Sequence, residues 1–275
     1  MRDNWYQSSS YWPSSFAIVT TVDESGETNV APYQLTMPFE VIGGRAVLLI
    51  SRPDSNTAHN LRRTGVATLN YVECTRKELR RIVALGYPGQ TAQEKASDNP
   101  FSLVPSPTPG RAPDGVRFPP VIDEAFQVYE CTVDVDQPIR EDGNPPAYFV
   151  LRIDQILLRQ RWLENLESGG RDMPRMPITF GFRGGERFWF AGIRKPFWIA
   201  TPNDRGPKEE AILYEANRID PEVQFTREAC QKLTGIPKPF VKSALRSMVK
   251  QAREQGVTVI DVEFVDRVNE ARQRA

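Results

Sequence analysis

Residues 16 to 37 read FAIVTTVDESGETNVAPYQLTM: an apolar run, a turn rich in Asp, Ser and Gly, then a second run with Val and aromatic residues. Two short runs joined by such a turn specify an antiparallel hairpin. A further strand, RAVLLIS at 45–51, follows Gly43 and Gly44, and GVATLNYV at 65–72 gives another. Between them SRPDSNTAHN, residues 51 to 60, is small, hydroxylated, amide or charged almost throughout, and leads into AHNLRRTG, which reads as a short helix. The first third of the chain is therefore mainly β.

Residues 73 to 99 carry helix formers, with Leu79, Ile82 and Val83 at helical spacing. The next stretch, NPFSLVPSPTPGRAPDGVRFPP at 99–120, is dense in proline, which removes donors and fixes backbone angles, so it reads as an extended loop. Strand-like segments resume at AFQVYECTVDV and PAYFVLRIDQILLRQRWL, and a Gly-Gly turn between MPITFGF and ERFWFAGI gives another hairpin. After Pro202 the character changes: NDRGPKEE is a polar linker, and helical patterns follow to the end. In PFVKSALRSMVKQAREQG, residues Phe240, Val241, Ala244, Leu245, Met248, Val249 and Ala252 share one face. Lys242, Arg246, Lys250 and Arg253 lie opposite, a basic stripe read as the solvated side of an amphipathic helix. Gly256 stops that helix, and TVIDVEFVDRVNEARQ is a short extended link with one more helix.

Bulk properties narrow the function. Lys plus Arg and Asp plus Glu are 35 each, so the whole-protein field gives no attraction to nucleic acid or anionic membrane. Three widely spaced cysteines, Cys74, Cys131 and Cys230, suit buried thiols in a reducing compartment and offer no metal-ligand spacing. No apolar run approaches the roughly 20 residues of a spanning helix, and the first residues lack a signal peptide's apolar core. The expectation is a soluble, cytoplasmic protein without nucleic-acid, membrane or metal partners. A single histidine, His59, excludes chemistries that need two; it reads as an exposed helical residue, the alternative being a group that helps hold a phosphate.

The order of PSSFAIVTTVDESGETNVAPYQLTM, VLLISRPDSNTAHNLRRTGVATLNYV, VPS and FPPVIDEAFQVYECTV resembles the flavin reductase-like, FMN-binding split-barrel family over roughly residues 10 to 200. The resemblance implies a mainly β (α+β) fold, a split β-barrel of the FMN-binding type. It implies that SRPDSNTAHN is the flavin phosphate loop, with Ser51, Arg52, Ser55, Thr57 and Asn60 as its donors. Thr57 and Asn60 stand where the family has Thr and Asn, whereas Ser55 and Asn56 replace its Lys and Asp. Asn29, Ala31, Pro32 and Tyr33 match the segment beside the flavin ring. The hairpin carrying Phe188, Trp189 and Phe190 resembles the family's closing hairpin, where these aromatics pack the barrel or a dimer rather than the flavin. Many reductases of the family have Gly-Asp-His late in the barrel; the corresponding EDGNPPAYFVLRIDQI has no His.

Residues 225 to 273 are similar to the small helical domain at the C-terminus of light-independent protochlorophyllide reductase subunits, through Ile236, Pro237, Phe240, Val241, Lys242, Ala252, Arg253 and Gly256. An extra Lys238-Pro239 pair interrupts the family's spacing. The chain thus divides into an FMN-binding barrel at 1–202, a linker at 203–224 and a helical C-terminal module at 225–275. The resemblances imply a homodimeric FMN-dependent oxidoreductase, passing electrons from NADH, NADPH or another donor to a small-molecule or protein acceptor. The alternative is a flavin or tetrapyrrole carrier without turnover.

Overall fold

The computed structural model describes residues 9–41, 44–86, 90–108, 116–137, 147–183, 187–192, 195–197, 199 and 209–273. The chain forms two compact units, Met1–Phe197 and Trp198–Ala275.

The first unit is built on strands β1 (Ala17–Val22), β2 (Thr28–Tyr33), β3 (Thr36–Glu40), β4 (Ala46–Ser51) and β5 (Val66–Tyr71), a short pair β6 (Leu103–Val104) and β7 (Val121–Ile122), then β8 (Gln127–Val133) and β9 (Ala147–Leu158). Seven of them form one sheet in the order β2-β1-β5-β8-β9-β4-β3, antiparallel at every step. The two edges of this sheet, β2 and β3, are consecutive in sequence and joined only by Gln34 and Leu35. Three Cα steps span at most about 11 Å, so the sheet has to curl until its edges nearly meet. That is a half-barrel. Its edge strands are also where the sheet's prolines fall, Pro32 on β2 and Pro38 on β3, positions at which a missing donor is tolerated.

Alternate residues feed two cores. Ala17, Val19, Leu49, Leu69, Cys131 and Leu151 bury one face against Ala58 and Leu61 of the Asn56–Thr64 helix. Phe16, Ile18, Val30 and Val128 bury the other against Leu79, Ile82 and Leu85 of the Arg76–Leu85 helix, together with Phe101, Val121 and Ile122. The 73–99 stretch forms two helices, Arg76–Leu85 and Ala92–Ser97, each opened by a capping box, Thr75 with Glu78 and Thr91 with Glu94. Of the proline-rich segment, residues 109–115 lie outside the described residues; the described parts, 99–108 and 116–120, contain no helix and are flanked by buried polar groups. Asn70 donates to the Ile18 carbonyl at 3.0 Å and accepts from the Ile122 amide at 2.9 Å, and Ser106 and Thr108 hydrogen-bond to the carboxylate of fully buried Glu130.

Past β9 the expected strand is too long. It ends at Leu158, and Gln160–Glu167 is a helix whose Trp162 is buried, because the segment's polar residues recur at helical and not alternating spacing. The expected hairpin follows as β10 (Ile178–Arg183) and β11 (Arg187–Gly192).

The second unit contains helix Glu209–Ala216, β12 (Gln224–Phe225), helix Arg227–Lys232, a 3-10 turn at Leu233–Gly235, helix Lys238–Glu254, β13 (Val259–Ile260) parallel to β12, and helix Val262–Gln273. Ile212, Phe225, Leu233, Leu245, Met248, Ile260 and Phe264 make its core. Residues 209–216, within the expected linker, are therefore helical and anchored by Ile212 and Ala216. In the long helix, Val241, Leu245, Met248, Val249 and Ala252 are buried and the basic stripe is exposed. Phe240 departs from the expected face, being 64% exposed. It lies in the first turn, where the row through half-buried Ala244 and buried Met248 runs out of the core. Gly256 ends the segment at φ +67°, the left-handed geometry that favours glycine.

Candidate functional site

The corner between β2 and β3 opens onto a cavity of about 1140 Å³, within the first unit. Its size is that of a site for a cofactor-sized ligand. The corner itself contributes Asn29, Ala31, Pro32, Tyr33 and Gln34, and the end of β4 contributes Ile50 and Ser51. The loop after β4 and the first turn of the next helix add Arg52, Asp54, Ser55, Asn56 and Thr57.

Local sequence explains that last arrangement. Ser55, extended at φ −77° and ψ 150°, accepts from the Ala58 amide at 3.1 Å and so caps the helix, which begins at Asn56 and ends at Gly65. The helix starts two residues earlier than AHNLRRTG suggests, and Thr57 falls in its first turn. There the amides of Asn56 and Thr57 have no intrahelical acceptor. The serine hydroxyls form a linked set: Ser51 Oγ lies 2.7 Å from both Ser55 Oγ and Tyr33 Oη. Arg52 is exposed beside them. Behind them Asn29, fully buried, donates to Thr57 Oγ1 at 3.1 Å and is 3.4 Å from Thr21 Oγ1.

Eight of the nine residues expected from the sequence line the cavity: Asn29, Ala31, Pro32, Tyr33, Ser51, Arg52, Ser55 and Thr57. Asn60 lies behind it, 5% exposed, donating to Thr21 Oγ1 at 3.0 Å and tying the helix to β1. His59 is exposed and does not line the cavity. Of the stretch compared with Gly-Asp-His, residues 141–146 lie outside the described residues, and Tyr148 on β9 lines the cavity.

The structure adds cavity residues to which the sequence assigned no place in the site. Phe182, Phe188 and Phe190 of the β10–β11 hairpin line the cavity, with ring centroids 4.9 Å apart at each step, and Phe190 meets Phe16 edge-on at 6.4 Å. Phe188 and Phe190 thus face the cavity as well as packing the barrel, while Trp189 points away and is 49% exposed. Gln34, Gln90 and Lys95 also line it. Lys95 is 8% exposed; burial, and then the Arg52 guanidinium, hold its pKa below the ordinary lysine value. Nothing in TAQEKASD distinguishes this lysine from a surface one, because its burial depends on where the Ala92–Ser97 helix packs.

The cavity's chemistry fits a flat ligand with an anionic tail. Hydroxyls, a guanidinium, an ammonium and first-turn amides suit a phosphate. Asn29 Oδ1, Gln34 Nε2 and Gln90 Oε1 are buried polar atoms of lining residues without a hydrogen-bond partner, so the wall holds both donor and acceptor capacity beyond what the protein uses. The phenylalanine cluster supplies apolar area for an aromatic ring. The three cysteines contribute no nucleophile: all are buried, and burial raises each thiol's pKa. Among the described residues no cluster of metal-ligating side chains exists, and no helix is long and apolar enough to cross a membrane.

No family model matches the chain. Among solved structures it is similar to a 2-nitrobenzoate 2-nitroreductase from Pseudomonas fluorescens, at 19% identity and a TM-score of 0.50, over 68% of this chain and 85% of that one. An FMN-binding protein from Thermus thermophilus, solved with 1-cyclohex-2-enone, is similar at 16% identity and a TM-score of 0.49, over 70% of this chain and 92% of that one. A provisionally assigned flavin reductase with a split barrel domain from Shewanella frigidimarina is similar at 12% identity and a TM-score of 0.49, over 68% and 87%. The likeness is one of fold. The curled, antiparallel seven-stranded half-barrel, followed by a helical C-terminal unit, is a fold shared with the nitroreductase structure.

Proposed function

We propose that this chain binds FMN in the cavity at the β2–β3 corner and acts as a flavin-dependent oxidoreductase. One observation carries the reading: on a split-barrel fold, a hydroxyl- and cation-lined helix start and an aromatic wall open into the same cavity. Ser51, Arg52, Ser55 and Thr57 bind the phosphate, and Asn29, Ala31, Pro32, Tyr33 and Gln34 orient the ring's polar edge through backbone and side-chain hydrogen bonds. Bound FMN supplies hydride acceptance and onward electron transfer, with a reduced nicotinamide or another donor on one side and an oxidised acceptor on the other. The protein's part is to hold and orient the ring and exclude water. The chain works as a homodimer, a reading supported by exposed apolar side chains on the closing hairpin, Ile178 at 47% and Trp189 at 49%. The helical C-terminal unit is an accessory to the barrel, as its resemblance to the protochlorophyllide reductase module implies.

A carrier without turnover is the second reading. It is favoured by the absence of histidine from residues 141–156 and from the cavity's described lining.

The visible spectrum of protein purified without added cofactor, with the released chromophore identified by mass, tests the proposal. Flavin bands and released FMN are expected, bleached by NADH or NADPH under nitrogen within seconds. A stable colour in the presence of every donor moves the carrier reading forward. Colourless protein that leaves FMN fluorescence unquenched, or a Soret-type band, overturns the flavin assignment.

A further inference from the structure

Lys95 is a largely buried lysine with no carboxylate partner among the described residues. It sits on the Ala92–Ser97 helix, which packs against β2, and it is 8% exposed on the cavity wall. A lysine is almost never this buried unless paired, because removing an ammonium from water costs several kcal/mol. Among the described residues no carboxylate acts on it, and the charge that does act is a like one, the guanidinium of Arg52. The carboxylate in the cavity lining, Asp54, is exposed and makes no ion pair with it. Two cations facing one cavity repel until an anion sits between them.

Position strengthens the point. Asn56 Nδ2 donates to the Gln90 carbonyl at 3.2 Å, which fixes the approach to the lysine's helix against the start of the Asn56–Thr64 helix. Lys95, Arg52 and the first-turn residues Asn56 and Thr57 therefore line one cavity, with the Lys95 and Arg52 charges close enough to act on each other. A phosphate monoester carries close to two negative charges at neutral pH, matching the two cations.

We infer that Lys95 binds the phosphate of FMN together with Arg52, supplying from a separate helix the second positive charge of the site. The inference rests on the flavin reading above. It makes Lys95 a determinant of phosphorylated over unphosphorylated flavin, rather than a structural lysine.

Fluorescence-quenching titrations of the full-length protein with FMN and with riboflavin, which lacks the phosphate, test this. Lys95→Met is expected to weaken FMN about 10- to 100-fold while leaving riboflavin within about twofold, and Lys95→Arg to keep most of the FMN affinity. Retained riboflavin binding also reports that the Met variant is folded; Lys95→Gln replaces it in the same comparison if it is not. An unchanged ratio of FMN to riboflavin affinity in the uncharged variant overturns the inference. So does wild-type protein that binds both flavins equally, and in that case the flavin reading survives. Wild-type protein that binds neither overturns both.

Discussion

Ser55 holds two jobs at once. Its side chain caps a helix, and its hydroxyl belongs to the Tyr33–Ser51 set facing the cavity. The two roles separate by substitution. Ser55→Ala removes both and should cost about 1 kcal/mol of stability, whereas glycine is tolerated at an N-cap to within a few tenths of a kcal/mol. Ser55→Gly is therefore expected to melt close to wild type and yet bind FMN several-fold more weakly, with riboflavin spared. Urea denaturation and flavin titration on the same preparations check this. A glycine variant with wild-type FMN affinity would confine Ser55 to capping. Arg52 is exposed, so the charge it contributes is screened by solvent. Arg52→Ala should weaken FMN less at high salt than at low, a contrast that buried Lys95 should show to a smaller extent.

At the next scale, the Asn56–Thr64 helix aims the site, and its end matters as much as its start. Gly65 takes φ +66° and its amide donates to the Leu61 carbonyl at 2.9 Å. A Cβ built there meets nothing within 4 Å, so the cost of Gly65→Ala is backbone conformation alone, about 1–2 kcal/mol. Gly65→Asn should cost less, since Asn tolerates this geometry; urea midpoints of the two variants give the comparison. Elements of this kind were legible because their signals are local: the first hairpin from its turn, the helix from a polar loop before LRRTG, and β10–β11 from Gly-Gly. Other features depended on partners distant in sequence. The boundary at Leu158 has no breaker, and only the change from alternating to helical spacing of the polar residues marks it. Lys95 and the phenylalanines of the hairpin became cavity residues only when the sheet curled, and Asn60, correctly placed on the helix, turned inward to Thr21 instead of outward. The loop residues were readable as a group, since clustered hydroxyl and guanidinium groups after an apolar strand are few in this chain.

Taken whole, the molecule has separate cores for its two units, and conditions that weaken one need not weaken the other. Acid should reveal one difference. In the C-terminal unit Asp220, its side chain 9% exposed, accepts from Arg253 at 2.5 Å and from the Glu222 amide at 2.9 Å, and these hold its pKa below the ordinary 3.8. A carboxyl whose folded pKa lies below its unfolded one adds stability above the unfolded value and loses it as pH falls through the folded one. Asp220→Asn should therefore lower the C-terminal transition at pH 7 and flatten its dependence on pH below about 4. Core truncation gives the sharper test of independence. Leu245 is fully buried among residues of the second unit, so Leu245→Ala should cost about 2–5 kcal/mol there. Every described residue lining the cavity lies between Trp12 and Phe190, in the first unit. FMN should then bind Leu245→Ala with wild-type affinity at temperatures below the C-terminal transition, and added FMN should raise only the barrel's transition, by mass action. Calorimetry of the full-length variant with and without FMN reads both quantities. A loss of FMN affinity in parallel with the loss of C-terminal structure would mean that the helical unit contributes to holding the flavin, and the accessory role proposed for it would become a direct one.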